Sequence, residues 1–209
     1  MNDIYYIIGC SYAGKSTMVR SLAQKYDAIE CGENYHEALM DGLDKDEFPN
    51  LCYTRDLTDW REFIRRTPDE YAAWIKGAKK ECEILELQML EDLKKQGRMI
   101  FVDTNICVET LKKISDKDHV LVMLTDREMS INRFFERPDK EKQFIYQLLM
   151  SEPDPEAAMA NYRETLEKIH SKESYDELLD SGFNILYRDE SRTVEETRDL
   201  IATKFFGLE

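Results

Sequence analysis

Cysteine and histidine are too few and too scattered in this sequence to suggest a disulfide framework or a metal cluster. Five cysteines occur among 209 residues, none of them in a C-x-x-C pair, and an odd number leaves one unpaired in any disulfide scheme. The three histidines are equally dispersed, as expected of structural or solvated residues rather than metal ligands. These absences favour free thiols in a reducing compartment, and we expect a cytoplasmic protein.

Positive charge and long apolar runs are also lacking. The chain has 29 Lys and Arg residues against 43 Asp and Glu residues, and this formal net charge of −14 opposes binding to a nucleic-acid backbone. No run approaches the roughly 18 apolar residues that span a bilayer, and no leader segment is predicted. Neither a nucleic acid nor a membrane is therefore an expected partner. The length and a hydrophobic content of 42% predict a single domain, residues 1–209, as a monomer or homodimer.

One motif near the N-terminus is highly informative. Residues 9–17 have the G-x-x-x-x-G-K-[ST] spacing of a phosphate-binding loop, between a predicted buried strand at 4–8 and a predicted helix at 15–25. The two glycines let the backbone turn tightly, so that successive N–H groups and the helix N-terminus point into one concavity. The predicted nucleotide-binding residues are Gly9, Ser11, Tyr12, Ala13, Gly14, Lys15, Ser16 and Thr17.

Three side chains of this loop carry specific expectations. Lys15 would reach the β- and γ-phosphate oxygens of a bound nucleotide, and the hydroxyl of Ser16 would hold Mg²⁺. Cys10 lies near the N-terminus of the following helix, whose partial positive charge predicts a thiol more acidic than usual.

Strand and helix patterns alternate along the rest of the chain. Further strands are predicted at 27–30, 99–103, 119–124 and 184–187. Helices are predicted from residue 68 to near residue 97, where apolar residues recur at helical spacing, and at 108–115, 130–135, 156–179 and 194–206. Residues 31–68 lose clear periodicity and are predicted to form an insertion over the sheet edge. The alternation predicts an α/β fold with a parallel sheet and right-handed crossovers.

Taken together, these features resemble the nucleoside and nucleotide kinase group of P-loop phosphotransferases. The resemblance depends on the loop at 9–17, the insertion after the second strand, Asp103 at the end of the third strand and an arginine-bearing segment after the fourth. It implies a three-layer P-loop kinase fold in which helices flank a five-stranded parallel sheet of order 2-3-1-4-5. It also implies ATP and Mg²⁺ as cofactors, a helical acceptor-binding region at about 31–80 and a lid at about 127–155.

The sequence departs from the specific subfamilies of this group. Asp103-Thr104-Asn105 stands where an adenylate-kinase-like protein would continue with a glycine and then a Pro-Arg pair. The chain also has no Gly-Gly pair for a shikimate-kinase-like acceptor site and no N-K-x-D stretch for reading guanine. The identity of the phosphate acceptor therefore stays open.

Phosphoryl transfer needs cations, a metal site and a group that orients the acceptor, and each has candidates. Asp103 ends a buried strand beside the loop and would hold Mg²⁺, the alternative being a helix N-cap or a turn residue. Glu30 ends the second predicted strand and is a candidate general base, the alternative being a solvated carboxylate. Arg133 and Arg137 are four residues apart and would act from the lid, the alternative being surface ion pairs. With Lys15, these are the predicted catalytic residues.

Arginines and aromatics are concentrated in the presumed acceptor region. The predicted acceptor-binding residues are Tyr35, Arg55, Arg61 and Arg65, because guanidinium groups and rings suit a phosphorylated or planar acceptor. Core packing is the competing role for most of them.

The leading hypothesis is an ATP- and Mg²⁺-dependent kinase of a small molecule, most readily a nucleoside or nucleotide. One alternative is a kinase of another metabolite such as a polyol or sugar acid. A second is a nucleotide-binding regulatory protein that transfers nothing.

Overall fold

Five parallel strands form a single sheet at the centre of the fold. The computed structural model describes residues 4–136 and 140–209. The strands are β1 Ile4–Gly9, β2 Ile29–Cys31, β3 Ile100–Asp103, β4 Val120–Leu124 and β5 Asn184–Tyr187, in the order β2-β3-β1-β4-β5. The predicted α/β class, parallel sheet and strand order are confirmed. In the register, Ile7 faces Asp103, which brings the end of β3 beside the loop that follows β1.

Helices connect successive strands. They are α1 Lys15–Lys25, α2 Pro49–Arg55, α3 Trp60–Ile64, α4 Pro68–Lys94, α5 Val108–Ile114, α6 Arg127–Asn132, α7 Lys140–Met150, α8 Pro155–Ile169, α9 Lys172–Leu179 and α10 Val194–Leu200. Tyr35–Gly42 and Phe134–Glu136 are 3₁₀ turns, and α10 continues as a π-helical turn at Ile201–Phe205. The segment at 31–68, predicted without clear periodicity, therefore consists mainly of short helices, whose few turns leave little periodic signal.

Helices cover both faces of the sheet because β1 is apolar on both. Tyr5 and Ile7 point toward α1 and the C-terminal helical segment, whereas Tyr6 and Ile8 point toward α4, α5 and α9. Side chains alternate along a strand, so a continuous apolar run such as residues 4–8 supplies two cores at once. The result is a three-layer arrangement in which the carboxyl ends of the strands form one open edge.

Above that edge, α4 extends past the sheet and carries a separate helical core. A reciprocal capping box between Thr67 and Glu70 begins α4, as the Thr-Pro-Asp-Glu sequence favours. The N-terminal (upper) half of α4 packs with α3, α6, α7 and α8 in one cluster that includes Phe63, Leu149 and Tyr162. The predicted acceptor region and the predicted lid thus share a hydrophobic core.

Gly9 gives a direct test of the turn that leaves β1. Its φ is +136°, and a Cβ at this position would lie 1.8 Å from the carbonyl oxygen of Met123 on β4. We expect Gly9→Ala to lower the free energy of unfolding by about 3 kcal/mol or more, because both the conformation and the contact exclude a side chain. Urea unfolding measures this.

The matched control is Gly42→Ala, since a Cβ at Gly42 meets no heavy atom within 4 Å. Its unfolding midpoint should stay near that of the wild type. Equal midpoints for the two variants would contradict the assigned backbone conformation at Gly9.

Candidate phosphate-binding site

The loop between β1 and α1 is a backbone cradle. Gly9, Tyr12 and Gly14 all have positive φ, which turns the chain sharply before α1 begins at Lys15. The N-cap of α1 is Gly14, which has no side chain to bind the first N–H groups of the helix. Cys10 N donates to Met123 O at 3.0 Å and thereby anchors the loop to β4. Helix N–H groups left without a side-chain cap are a ready site for an anion.

Three predicted residues meet at the mouth of this cradle. The Ser16 hydroxyl donates to Asp103 Oδ2 at 2.7 Å, and Lys15 Nζ lies 3.8 Å from Asp103 Oδ1. Asp103 is 4% exposed, and burial raises the pKa of its carboxyl, an effect partly offset by Lys15 and Ser16. A hydroxyl and a carboxylate held at this distance are hard oxygen ligands of the kind that Mg²⁺ accepts together with phosphate oxygens.

A cavity of about 210 Å³ opens over the cradle. It is lined by Tyr12, Gly14, Lys15, Ser16, Thr17, Glu33 and Arg188. Of the other predicted nucleotide-binding residues, Gly9 lies beneath the loop against β4, and Ala13 is buried in the core next to α1. Ser11 contributes its carbonyl oxygen, which accepts a hydrogen bond of 2.7 Å from the Ser130 hydroxyl on α6.

Arg188 is a cavity residue that the sequence did not single out. It follows β5 directly, and its Nη1 donates to Tyr12 O at 2.5 Å while its guanidinium lies 5.3 Å from the centroid of the Tyr12 ring. No side chain of the loop at 188–192 was predicted from the sequence to have a role. The available signal was the position itself, one residue beyond the carboxyl end of a strand.

The acidic residue in the cavity is Glu33 and not Glu30. Strand β2 ends at Cys31, one residue later than predicted, so Glu30 lies in the middle of the strand. Its exposed carboxylate pairs with Arg20 at 3.3 Å and does not line the cavity. Glu33 lies in the turn after β2 and lines the cavity beside Lys15 and Ser16. A side chain changes face with every residue along a strand, so a small error in the strand end moved the assignment.

Lys79 and His170 lie close enough to Lys15 to share its electrostatic environment. Desolvation by surrounding protein atoms lowers the pKa of Lys79 on α4, and the Lys15 charge lowers it further. The Lys79 side chain is nevertheless exposed to solvent. Burial, Lys79 and Lys15 lower the pKa of His170 to about 4, so its imidazole is neutral at pH 7. A second ammonium group, not predicted from the sequence, therefore lies within electrostatic range of Lys15, although it does not line the cavity.

Arg133, the predicted lid residue that the structure describes, does not line the cavity. Arg133 pairs with Glu136 and with Glu190, both at 3.6 Å, and is 43% exposed. Glu190 also pairs with Arg188 at 3.6 Å, which links the segment after β4 to the loop after β5. Arg137 lies outside the described residues.

The predicted acceptor residues are not gathered around the phosphate cradle. The Tyr35 side chain is partly buried, and its hydroxyl donates to the backbone carbonyl oxygen of Glu86 at 3.4 Å. Arg55 donates to Met40 O and Leu43 O and pairs with Asp56 at 2.7 Å. Arg61 and Arg65 pair with Glu152 at 3.7 and 2.8 Å. Each of these arginines therefore already has an acceptor within the fold.

A buried hydrogen-bond network fixes the segment that follows Asp103. The Glu86 carboxylate, 0% exposed, accepts from Thr104 Oγ1 at 2.5 Å, from Asn105 N at 2.9 Å and from Asn105 Nδ2 at 2.8 Å. Its fourth partner is His36 Nδ1 at 3.0 Å, and His36 Nε2 lies 3.3 Å from Cys82 Sγ. Burial raises the pKa of Cys82 to about 12, so the thiol donates to Nε2 and the imidazole N–H lies on Nδ1.

Cys10 does not have the acidic thiol that its position predicted. Burial raises its pKa, and the lowering effects of hydrogen bonding and of Lys15 are smaller. Desolvation of the thiolate outweighs the helix N-terminus because the side chain is partly enclosed between the two cores. The thiol is therefore protonated at neutral pH.

Comparisons with known proteins give no assignment. Neither a protein-family model nor a curated protein sequence matches this chain. Within residues 4–136 and 140–209, no group of three or more His, Cys, Asp or Glu side chains could hold a metal ion by itself. Over the same ranges, no helix is both long and apolar enough to cross a membrane. The function must be argued from the site alone.

Proposed function

We propose that the chain is a P-loop kinase of the cytoplasm, which transfers the γ-phosphoryl group of ATP to a hydroxyl group of a small molecule in the presence of Mg²⁺. The observation that carries the proposal is the contact of Ser16 Oγ with Asp103 Oδ2 at 2.7 Å, with Lys15 Nζ 3.8 Å from the same carboxylate. These groups lie under a cradle of backbone N–H groups at the start of α1. Polyphosphate binding needs this combination of amides, a cation and hard oxygen ligands.

The chain's own residues divide the work between binding and charge stabilisation. The loop amides and Lys15 would hold the β- and γ-phosphate oxygens, and Ser16 with Asp103 would hold Mg²⁺. When bound, Mg²⁺ neutralises phosphate charge during transfer. Arg188 adds positive charge in the cavity lining, and Lys79 adds positive charge within electrostatic range of Lys15, which compensates locally for the acidic chain.

Glu33 is the side chain suited to the acceptor. It lines the cavity with Lys15 and Ser16, and its carboxylate would orient an acceptor hydroxyl and take its proton. As the acceptor oxygen forms its bond to the γ-phosphorus, the bond to the β–γ bridging oxygen breaks and ADP leaves. The proton on Glu33 later passes to solvent, which restores the carboxylate.

A hydroxyl acceptor fits these contacts better than a phosphate acceptor. Arg55, Arg61 and Arg65 are bound to carboxylates or backbone carbonyls, and none of them lines the phosphate cavity. We therefore propose a nucleoside as the first candidate and a polyol or sugar acid as the second, because the same engaged arginines favour both over a nucleotide.

A comparison of Glu33→Gln with Glu30→Gln tests the proposal. We expect Glu33→Gln to lower kcat by about 10²–10⁴-fold, the usual contribution of a positioned general base. Glu30→Gln should retain the wild-type rate, because its carboxylate faces Arg20 on the surface. The assay measures ADP formation from ATP and Mg²⁺ with separate sets of nucleosides, nucleoside monophosphates and polyols.

The outcomes separate the remaining alternatives. ADP formation only with nucleoside monophosphates would contradict the hydroxyl acceptor. ATP binding by calorimetry, with no ADP formed in any set, would favour the regulatory nucleotide-binding protein instead.

A further inference from the structure

A second and larger cavity lies between α2, α3 and the upper half of α4. Its volume is about 660 Å³, within the range of small-molecule sites, and its lining includes Asn50, Tyr53, Arg66 and Trp74. None of its lining residues also lines the phosphate cavity. The two cavities are therefore separate.

Arg66 is the distinctive group of this second cavity. Its guanidinium lies 4.0 Å from the centroid of the Tyr53 ring and 5.8 Å from those of both Phe63 and Trp74. Among the described residues, no carboxylate lies within ion-pair distance of it, in contrast to Arg65, which pairs with Glu152 at 2.8 Å. Aromatic faces stabilise the charge but leave the in-plane N–H donors of the guanidinium without an acceptor.

None of the other charged lining residues forms an ion pair with this guanidinium, and the Arg66 charge is the smallest of the effects that lower the pKa of Glu70. Glu70 is engaged with Thr67 in the capping box at the start of α4. Arg65 is engaged with Glu152, and Glu62 is exposed to solvent. A half-buried guanidinium with open donors in a cavity matches the forked geometry of a carboxylate or a phosphate.

The cavity lies against a different face of α4 from the one that carries Lys79. Residues of an α-helix advance by about 100° each, so Glu70, Ala73 and Trp74 share one face. Lys79, the α4 residue whose pKa the Lys15 charge lowers, projects about half a turn away from that face.

We infer that this cavity is a second binding site, which takes a small organic anion with a carboxylate or phosphate on Arg66 and an apolar body against Trp74 and Tyr53. The site is distinct from the phosphate cradle and does not depend on the proposed kinase activity. Because its walls come from both the insertion and α4, its ligand would hold these elements together.

Fluorescence of Trp74 provides the test. The chain has two tryptophans, so a Trp60→Phe background leaves Trp74, which lines the cavity, as the only reporter. We titrate this protein, without ATP, with benzoate and with phenyl phosphate, and with benzylamine as a cationic control. We expect saturable binding of at least one anion in the millimolar range or tighter and none of the amine.

Two variants make the test specific to Arg66. Arg66→Gln should weaken anion binding by about tenfold or more, the cost of a lost charge-assisted pair. Arg163→Gln, which removes a guanidinium that pairs with Glu167 outside the cavity lining, should leave binding unchanged. If Arg66→Gln does not fold, as judged by circular dichroism, Ala73→Leu fills the cavity without touching Arg66 and should also abolish binding.

Each result decides the inference. Binding of benzoate alone identifies a carboxylate ligand, and binding of phenyl phosphate alone identifies a phosphate ligand. If neither anion binds saturably, the second site is overturned. It is also overturned if Arg66→Gln or Ala73→Leu binds the anions with the affinity of the background protein. A Lys15→Ala protein should bind the probes normally, which separates this site from the kinase proposal.

Discussion

We expect the replacement of Lys15 with alanine to lower the rate of the proposed ATP turnover by about 10²–10³-fold, the usual effect of removing one well-placed hydrogen-bond donor to the phosphoryl group in transfer. Lys15 lines the phosphate cavity, and its Nζ lies 3.8 Å from the Asp103 carboxylate. Asp103→Asn should lower turnover as well, because an uncharged amide is a weaker ligand for Mg²⁺. The rate is measured as ADP formation with saturating Mg²⁺ and the most active acceptor.

Lys25→Ala is the matched control for the loss of positive charge. Lys25 occupies the last turn of the same helix and pairs with Asp199 at 3.0 Å, away from the cavity lining. Its turnover should remain within about twofold of the wild-type rate, since surface ion pairs contribute little. A Lys15→Ala protein as active as Lys25→Ala would remove the phosphate loop from the proposed mechanism.

Replacing Glu86 with leucine has the largest expected effect on stability. The change leaves His36, Thr104 and Asn105 without the carboxylate that accepts their hydrogen bonds, all in or beside the core. We expect the free energy of unfolding to fall by about 3–5 kcal/mol, because several buried donors lose their partner at once. Urea unfolding followed by circular dichroism measures the loss.

The control on the same helix is Glu91→Leu. Glu91 is 70% exposed and pairs with Lys94, so its replacement should change stability by no more than about 0.5 kcal/mol. An unfolding midpoint of Glu86→Leu equal to that of Glu91→Leu would show that the network does not support the fold. Retained stability together with lost ATP turnover would instead assign Glu86 to positioning the segment that follows Asp103.

The conformation of the loop at residues 9–17 was predictable because its determinants are local. An apolar run, two glycines at fixed spacing and a following amphipathic segment specify a strand, a tight turn and a helix without reference to the rest of the chain. Gly9 and Gly14 have the positive φ values that such a turn requires. The continuous apolar strands likewise predicted a sheet covered on both faces. The strand order, which the resemblance to the kinase group implied, is confirmed.

The carboxylate beside the loop was harder to predict. The sequence favoured Glu30 because it closes a short apolar stretch, yet β2 runs to Cys31 and Glu33 lines the cavity. A three-residue strand carries too little pattern to fix its own end. Pairing with β3, which joins Ile29 to Ile100 and Cys31 to Val102, sets that end instead.

The roles of the arginines depended on contacts between distant segments. Arg61 and Arg65 meet Glu152 from beyond α7, and Arg188 meets Tyr12 from the other end of the chain. Their composition and spacing suggested a positive acceptor surface, but Glu152, the carboxylate that engages both Arg61 and Arg65, lies far from them in sequence. Arg66, next to Arg65, has rings around it and no described carboxylate in pairing distance.

The sequence by itself determined the α/β class, the parallel strands and the tight turn at residues 9–17, because short-range patterns of burial and backbone freedom specify them. The order of the strands was an expectation drawn from the resemblance to the kinase group. Only the tertiary structure decided which charged side chains remain available for a ligand. That availability depends on which acceptor lies nearest in space. Residues separated by as many as 176 positions supply these contacts, as when Arg188 donates to the carbonyl oxygen of Tyr12.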